Sequence, residues 1–352
     1  MNRYVLITGS AGLIGSEAVE FFAKKKFKII GIDNNYRKFF FGNSGSVGKR
    51  NQQLKKQYKN YKHFNLNLND FSKIKNIFSS FNSKIKLIIH AAAQPSHDWA
   101  LKNPLLDFDI NARSTLNLLE CFRKYCSKSS FIFLSTNKVY GDLPNKFSFQ
   151  EQKQRFEINK SSIYCQRGIN EKLSIDNNIH SLFGVSKLSA DLYVQEYGKK
   201  LNLNTVVFRG GCLTGKNHSG TEMHGFLSYL VKQVMKKKFY KIIGYKGKQV
   251  RDNIHSIDLI NCFWHYYLKP KKGEIYNIGG GRKNSCSILE VLKILEKKLN
   301  IKIKTKKIKN HRMGDHKWWI TDNSKFKKDY PKWKIQVTLN SIINELINTF
   351  QY

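Results

Sequence analysis

The stretch Tyr4-Val5-Leu6-Ile7-Thr8-Gly9-Ser10-Ala11-Gly12-Leu13-Ile14-Gly15 decides the fold class. An apolar run of strand length stops at a glycine, and glycines recur at 12 and 15, a GxxGxxG spacing. Each glycine has its own duty. Gly9 permits a tight turn, Gly12 lets the backbone approach a pyrophosphate, and Gly15 lets a helix pack close to a sheet. Helical spacing of apolar residues follows from Glu17 to Phe27, and a second apolar run, Phe27 to Ile32, ends at Asp33. The start of such a helix, from Ala11 through Leu13 and Ile14, offers backbone N–H groups and a favourable dipole to phosphates. A carboxylate at Asp33, next to Asn34, stands where it accepts both ribose hydroxyls of a dinucleotide and repels a 2′-phosphate. This arrangement predicts a dinucleotide site that prefers NAD to NADP, although Arg37 nearby points the other way.

The pattern of the opening repeats along the chain. Lys86–Ala91, Phe131–Leu134, Thr205–Phe208 and Glu274–Asn277 are short apolar runs, and Asp109–Tyr125 carries a periodic apolar face. Strands alternating with helices predict an α/β fold, a doubly wound parallel Rossmann sheet. Two stretches, Asn34–Gln57 and Asp142–His180, are polar and read as long functional loops. From about Lys216 the pattern becomes α+β, with Ile288, Val291, Leu292, Leu295 and Leu299 on one helical face. The expected division is a NAD-binding domain of residues 1–215 with about 250–270, and a smaller substrate domain of 216–249 with 271–352.

The 62 Lys and Arg against 25 Asp and Glu give a net charge of +37, yet only eleven of the 62 are Arg. Lysines are scattered, and Asn and Ile are also abundant, the mark of an AT-rich genome. Net charge is a weak functional signal, so a nucleic acid partner is not expected, though a polyanion surface stays open. The nearest thing to a tract, Lys302–Lys309, largely alternates Lys with Ile and Thr and reads as a strand with one solvated face. There is no run of about 18 apolar residues, so no membrane span is expected. The basic start precedes only a short apolar run ending at Gly9, which does not read as a signal peptide. Six cysteines show no CxxC pair and no metal spacing. No metal site is expected, and the cysteines read as free thiols in the cytoplasm.

Further segments carry a resemblance. They are His90-Ala91-Ala92-Ala93, then Asn111, Thr115 and Asn117–Glu120, then Ser135-Thr136-Asn137-Lys138-Val139-Tyr140-Gly141, then Arg251–His255 and Tyr276–Gly280. With the GxxGxxG turn, they resemble the extended short-chain dehydrogenase/reductase superfamily over nearly the whole chain. Within it, STNKVYGD at 135–142, NTVVFR at 204–209, GKQVRD at 247–252 and the run Asp33–Gly42 are most similar to the CDP-paratose 2-epimerase (CDP-tyvelose 2-epimerase) group. The resemblance implies NAD and a nucleotide-sugar substrate, a CDP-hexose in that group. It also implies removal of hydride from C2 and its return to the other face, and a homodimer pairing helices 109–125 and 183–197. Ala91, Ala92, Ala93, Asn111, Asn67 and Leu68 would then border the cofactor, with Asn67 in place of the family's Asp at the adenine edge.

One position departs from that pattern. The superfamily uses Tyr and Lys in YxxxK, with tyrosine the proton acceptor. Here the segment is Ser181-Leu182-Phe183-Gly184-Val185-Ser186-Lys187, so the lysine is present and the tyrosine is Phe183. Phenylalanine has no proton to exchange, and a positioned general base contributes about 10²–10⁴-fold. Another residue, a Tyr→Phe variant, lost catalysis and a shifted alignment all remain open. Candidate substitutes are His97, Cys212 and, more weakly, Tyr140 and His180; for each, ordinary packing is the plainer alternative. Thr136 is expected to polarise the reacting sugar oxygen, and Lys187 to hold the nicotinamide ribose.

On the sugar side the resemblance implies Arg251 and Arg312 as pyrophosphate contacts, since guanidinium forks suit phosphates. For Arg251 the plain alternative is an ion pair with Asp252 or Asp258. Asn137, Gly211, Asn217, His218 and Gln249 complete the expected substrate contacts. Trp318-Trp319 offers a stacking surface for a base or, more plainly, core. The rival to an enzyme is a silent binder of NAD, nucleotide sugar or polyanion.

Overall fold

The computed structural model describes residues 3–351 apart from 219, 223, 312 and 313. Seven strands form one sheet: β1 (Tyr4–Thr8), β2 (Lys28–Ile32), β3 (Tyr61–Phe64), β4 (Ile85–His90), β5 (Ser130–Thr136), β6 (Asn204–Gly210) and β7 (Glu274–Ile278). Their order is β7-β6-β5-β4-β1-β2-β3. Every pairing is parallel. Both faces are therefore covered, and the strands read as buried Val, Ile and Leu rather than as alternating patterns. The order reverses between β1 and β4, where open α/β sheets place a ligand crevice beyond the strands' carboxyl ends.

The core lies on the two faces of this sheet. Phe22, Phe27, Phe208, Phe263 and Tyr276 are buried on one, and Ile74, Phe78, Phe122 and Phe131 on the other. A buried histidine ties the layers together. His90 Nδ1 lies 2.7 Å from Thr8 Oγ1, and its Nε2 lies 2.9 Å from Thr115 Oγ1. It thereby joins β1, β4 and the helix Ser114–Tyr125.

A smaller sheet is built on Val250–His255, which pairs with Ser285–Ser287, Trp318–Trp319 and Cys212–Thr214. Both tryptophans are fully buried, so the core reading of that pair holds. Beyond it, the helices Phe226–Met235, Ile288–Leu299 and Leu339–Phe350 enclose a separate apolar cluster. Ile288–Leu299 starts at a capping box made by Ser287 and Glu290, which satisfies two orphan donors at once. Thr305–Ile308 pairs with Tyr240–Ile243 as an expected strand, but the consecutive Lys306 and Lys307, which point to opposite faces, are both exposed, so the expected single solvated face is not seen.

Three expectations change. Glu274–Ile278, assigned above to the smaller domain, is the edge strand of the main sheet beside β6. Parallel pairing is non-local, and a five-residue run carries no mark of its partner. The stretch Asn34–Gln57 is not one loop but holds the helices Tyr36–Phe41 and Gly48–Gln57, the second almost wholly polar and anchored by buried Leu54. The helix expected over 109–125 begins with a π-helical turn, Asp109–Arg113, before becoming α-helical.

Candidate active site

A cleft of about 440 Å³ opens beyond the carboxyl ends of β1, β4, β5 and β6. The glycine turn forms one end. Gly9 has φ +64°, and a Cβ there would lie 2.8 Å from the Ala92 nitrogen, while one at Gly15 would collide with the Gly9 carbonyl. Gly12 differs: a Cβ on it would meet only the Gly9 oxygen, at 3.3 Å, leaving the cleft side open for a phosphate. It caps the helix Leu13–Lys24, so the first helical amides face that space.

Asp33 Oδ2 accepts the Ala11 N–H at 3.0 Å and Oδ1 accepts the Asn35 N–H at 2.8 Å. Burial raises the carboxyl's pKa, while these two N–H groups and Arg37 oppose the rise. The Ala11 amide is thus spent on Asp33 and does not line the cleft. Gly9, Gly12, Leu13, Ile14, Gly15, Asn34, Asn67, Leu68, Ala91, Ala92 and Ala93 do line it. Asn111 does not: it is buried behind the wall, accepting from Gln94 N and donating to Gln94 O, Asp107 and Ser186. Its amide braces the wall rather than facing a ligand.

The middle of the cleft holds Thr136, Asn137, Phe183, Lys187, His97 and Cys212. Lys187 Nζ donates to Leu134 O at 2.9 Å and lies 4.1 Å from the centre of the Phe133 ring. Burial pulls its pKa to about 7, against Asp191 and Asp107. The helix carrying Phe183 and Lys187 is locked to β6 by the buried pair Arg209–Asp191, 2.9 Å apart, and Asp191 also accepts from Ser135 Oγ at 2.6 Å. Phe183 is 6% exposed. His97 Nδ1 shares a 2.6 Å hydrogen bond with Ser181 Oγ, and burial lowers its pKa to about 3, leaving a neutral and weakly basic imidazole. Burial raises the Cys212 thiol to about 11, so it is not a ready thiolate. Tyr140 and His180 lie off the cleft. Tyr140 OH donates to Asn277 and accepts from Arg209 in the core, and His180 Nε2 bonds the Ile175 carbonyl.

At the far end stand Gly211, Asn217, His218 and Arg251. Arg251 donates to Asp315 and, at 2.7 Å, to the Val250 carbonyl. Its partner is thus neither Asp252, which accepts the Thr321 and Gly281 amides, nor Asp258, which accepts those of Gln336 and Val337. Asn217 Nδ2 donates to Glu17 at 2.6 Å. Gln249, the residue before the strand Val250–His255, does not line the cleft and donates to Ile243 O at 3.0 Å. Arg312 lies outside the described residues. Sequence reasoning missed Lys138, His224 and Asp315, all of which line the cleft. Lys138 sits inside the quoted STNKVYGD segment, where its residue type was the available signal.

A family model described as the NAD dependent epimerase/dehydratase family matches residues 5–279. The chain belongs to that family. Among curated relatives, CDP-paratose 2-epimerase of Salmonella typhi is 32% identical over 312 residues, covering 84% of this chain and 85% of the relative. UDP-glucuronate 4-epimerase of Thermodesulfobacterium geofontis is 28% identical and covers 98% and 95%. Among solved structures, a Tyr-to-Phe mutant of UDP-glucuronic acid 4-epimerase from Bacillus cereus, in complex with UDP-4-deoxy-4-fluoro-glucuronic acid and NAD, superposes with a TM-score of 0.79. It is 23% identical, covering 99% of this chain and 98% of that one. Within this epimerase/dehydratase family the cofactor is NAD, and the open space at Gly12 and the carboxylate of Asp33 fit its pyrophosphate and ribose. Among the described residues no helix is long and apolar enough to cross a membrane.

Proposed function

We propose that this epimerase/dehydratase inverts C2 of a CDP-hexose through a transient ketone. The supporting observation is convergence: the glycine turn, Lys187, Thr136 and Arg251 line one cleft. The similarity to CDP-paratose 2-epimerase favours CDP and C2 over other nucleotides and carbons. Bound NAD would supply reversible hydride transfer at that carbon.

The protein's own residues supply the rest. The amides after Gly12 hold the pyrophosphate, and Asp33 accepts the ribose hydroxyls. Lys187 donates to the nicotinamide ribose. Thr136 donates to the reacting sugar oxygen and is far too weak a base to act alone. Arg251, bonded to Asp315, takes the substrate diphosphate. The walls, Phe183 included, keep water from the ketone.

Incubating purified protein with CDP-, UDP- and GDP-hexoses and following inversion at C2 and C4 tests the reading. CDP-hexose inverted at C2 supports it, and inversion at C4 redirects it to a 4-epimerase. If nothing turns over until Phe183→Tyr is introduced, the native chain is a silent binder.

We further propose a homodimer. Leu105 is 80% exposed, and Leu182, Val185, Leu192 and Tyr193 form an apolar strip along the Leu182–Lys199 helix. Burying such a strip against a second copy suits an obligate interface. The six cysteines carry no disulfide, which fits a reducing cytoplasm.

A further inference from the structure

Resting on that reading, we infer that Lys138 exchanges the substrate's hydroxyl proton, in place of the tyrosine absent at Phe183. Lys138 follows Thr136 by two residues on the turn Asn137–Tyr140, and its backbone N–H donates to Thr136 Oγ1 at 3.3 Å. The helix of Phe183 packs directly on this turn: a Cβ on Gly184 would lie 3.0 Å from the Lys138 carbonyl oxygen. The backbone of Lys138 thus adjoins both Thr136 and the helix of Phe183, and Lys138 lines the same cleft as these two residues.

Its surroundings suit proton exchange. The side-chain amine of the half-buried Lys138 makes no hydrogen bond or ion pair among the described residues, whereas Lys187 Nζ donates to Leu134 O. Drawing an amine partly out of water without a partner among the described residues is costly, and such groups mark functional sites. The facing charged and titratable groups are Arg251, Asp315, Cys212, His97 and His316. Burial, helped by Arg251, lowers the ammonium to about 8, while Asp315 and Cys212 oppose the shift. His97 and His316 are neutral and Cys212 is protonated, so none of the three competes as a proton store.

The step balances. The sugar C–H bond breaks, its electron pair leaving as hydride to oxidised NAD. The O–H bond breaks, its proton passing to the neutral Lys138 Nζ, and a C=O bond forms. On return, hydride adds to the other face of the carbonyl carbon and Lys138 gives its proton back to the oxygen.

The test compares the wild type with Lys138→Met, Lys138→Arg and the double variant Lys138→Met/Phe183→Tyr. Lys138→Met should lower kcat by about 10²–10⁴-fold with KM little changed. Lys138→Arg should fail equally, because arginine keeps the charge but does not release a proton. The double variant should recover activity through its tyrosine. In the wild type, kcat/KM should fall below about pH 8, and ¹⁵N-lysine NMR of the NAD-loaded protein should show the same midpoint for Lys138. Turnover by Lys138→Met with an unchanged pH profile, or an NMR midpoint at the ordinary ~10.4, overturns this inference alone. Absence of turnover in the wild type overturns the proposed function and this inference with it.

Discussion

The imidazole of His97 stands edge-on to the ring of Phe183, centroids 5.0 Å apart and planes at 69°, while its Nδ1 is bonded to Ser181 Oγ at 2.6 Å. Gly314 closes over the same imidazole, since any side chain there would strike it. The pair forms a fixed apolar wall where a tyrosine hydroxyl would otherwise enter the cleft. His97 is thereby a shaping residue, and its pKa of about 3 keeps it neutral across the working range.

His97→Gln should therefore raise KM for the nucleotide sugar several-fold while leaving the shape of the kcat/KM pH profile unchanged. Steady-state kinetics from pH 6 to 9 would show it. Loss of an ionisation in the variant would return His97 to the role of proton acceptor.

Asp33 is held ready by the Ala11 and Asn35 amides. Hydrogen bonds to a charged group are worth about 1.5–3 kcal/mol, so Asp33→Ala should weaken NAD binding about 10–100-fold. NADP binding should change far less, because the lost carboxylate no longer repels the 2′-phosphate. Calorimetric titration of both cofactors measures the two changes, and an equal loss for both would contradict the assignment.

Arg251 and Asp315 act as one unit at the far end of the cleft. Replacing a guanidinium fork by a point charge is not conservative. Arg251→Lys should raise KM about tenfold or more with a smaller effect on kcat, and Asp315→Asn should do the same more weakly. A change confined to kcat would place Arg251 at the chemistry instead of the diphosphate.

Burial lowers the pKa of His90, His97, His218, His224 and His316. In the unfolded chain they titrate near 6.5. Above that pH both states hold them neutral. Below it the unfolded state binds protons that the folded state refuses, so stability falls with pH down to each folded pKa. Each fully responding histidine contributes about 1.4 kcal/mol per pH unit. Urea midpoints should drop steeply from pH 7 to pH 5, and a flat profile would mean that these side chains are solvated.

Much of this was legible in the sequence because it is local. The glycine turn, Asp33 and the strand runs each lie in a few consecutive residues, so their geometry follows from spacing. The site's centre was less legible. His97 meets Phe183 from 86 positions away, and Arg251 finds Asp315 rather than the neighbouring Asp252 because strand and loop meet only in the fold. Asn111 carries a motif identity yet serves the wall, since its amide is saturated by Gln94, Asp107 and Ser186. Lys138 was visible but uninterpretable among so many lysines, because what distinguishes it is its place in the cleft with an amine that pairs with none of the described residues.

The central claim is that hydride leaves and returns to one sugar carbon despite Phe183. CDP-hexose deuterated at C2, incubated with the NAD-loaded protein and followed by NMR, tests this most directly. The account predicts a C2-inverted product that keeps its deuterium, because the label returns to the carbon it left. Inversion with loss of the label to solvent, or no inversion at all, would contradict it.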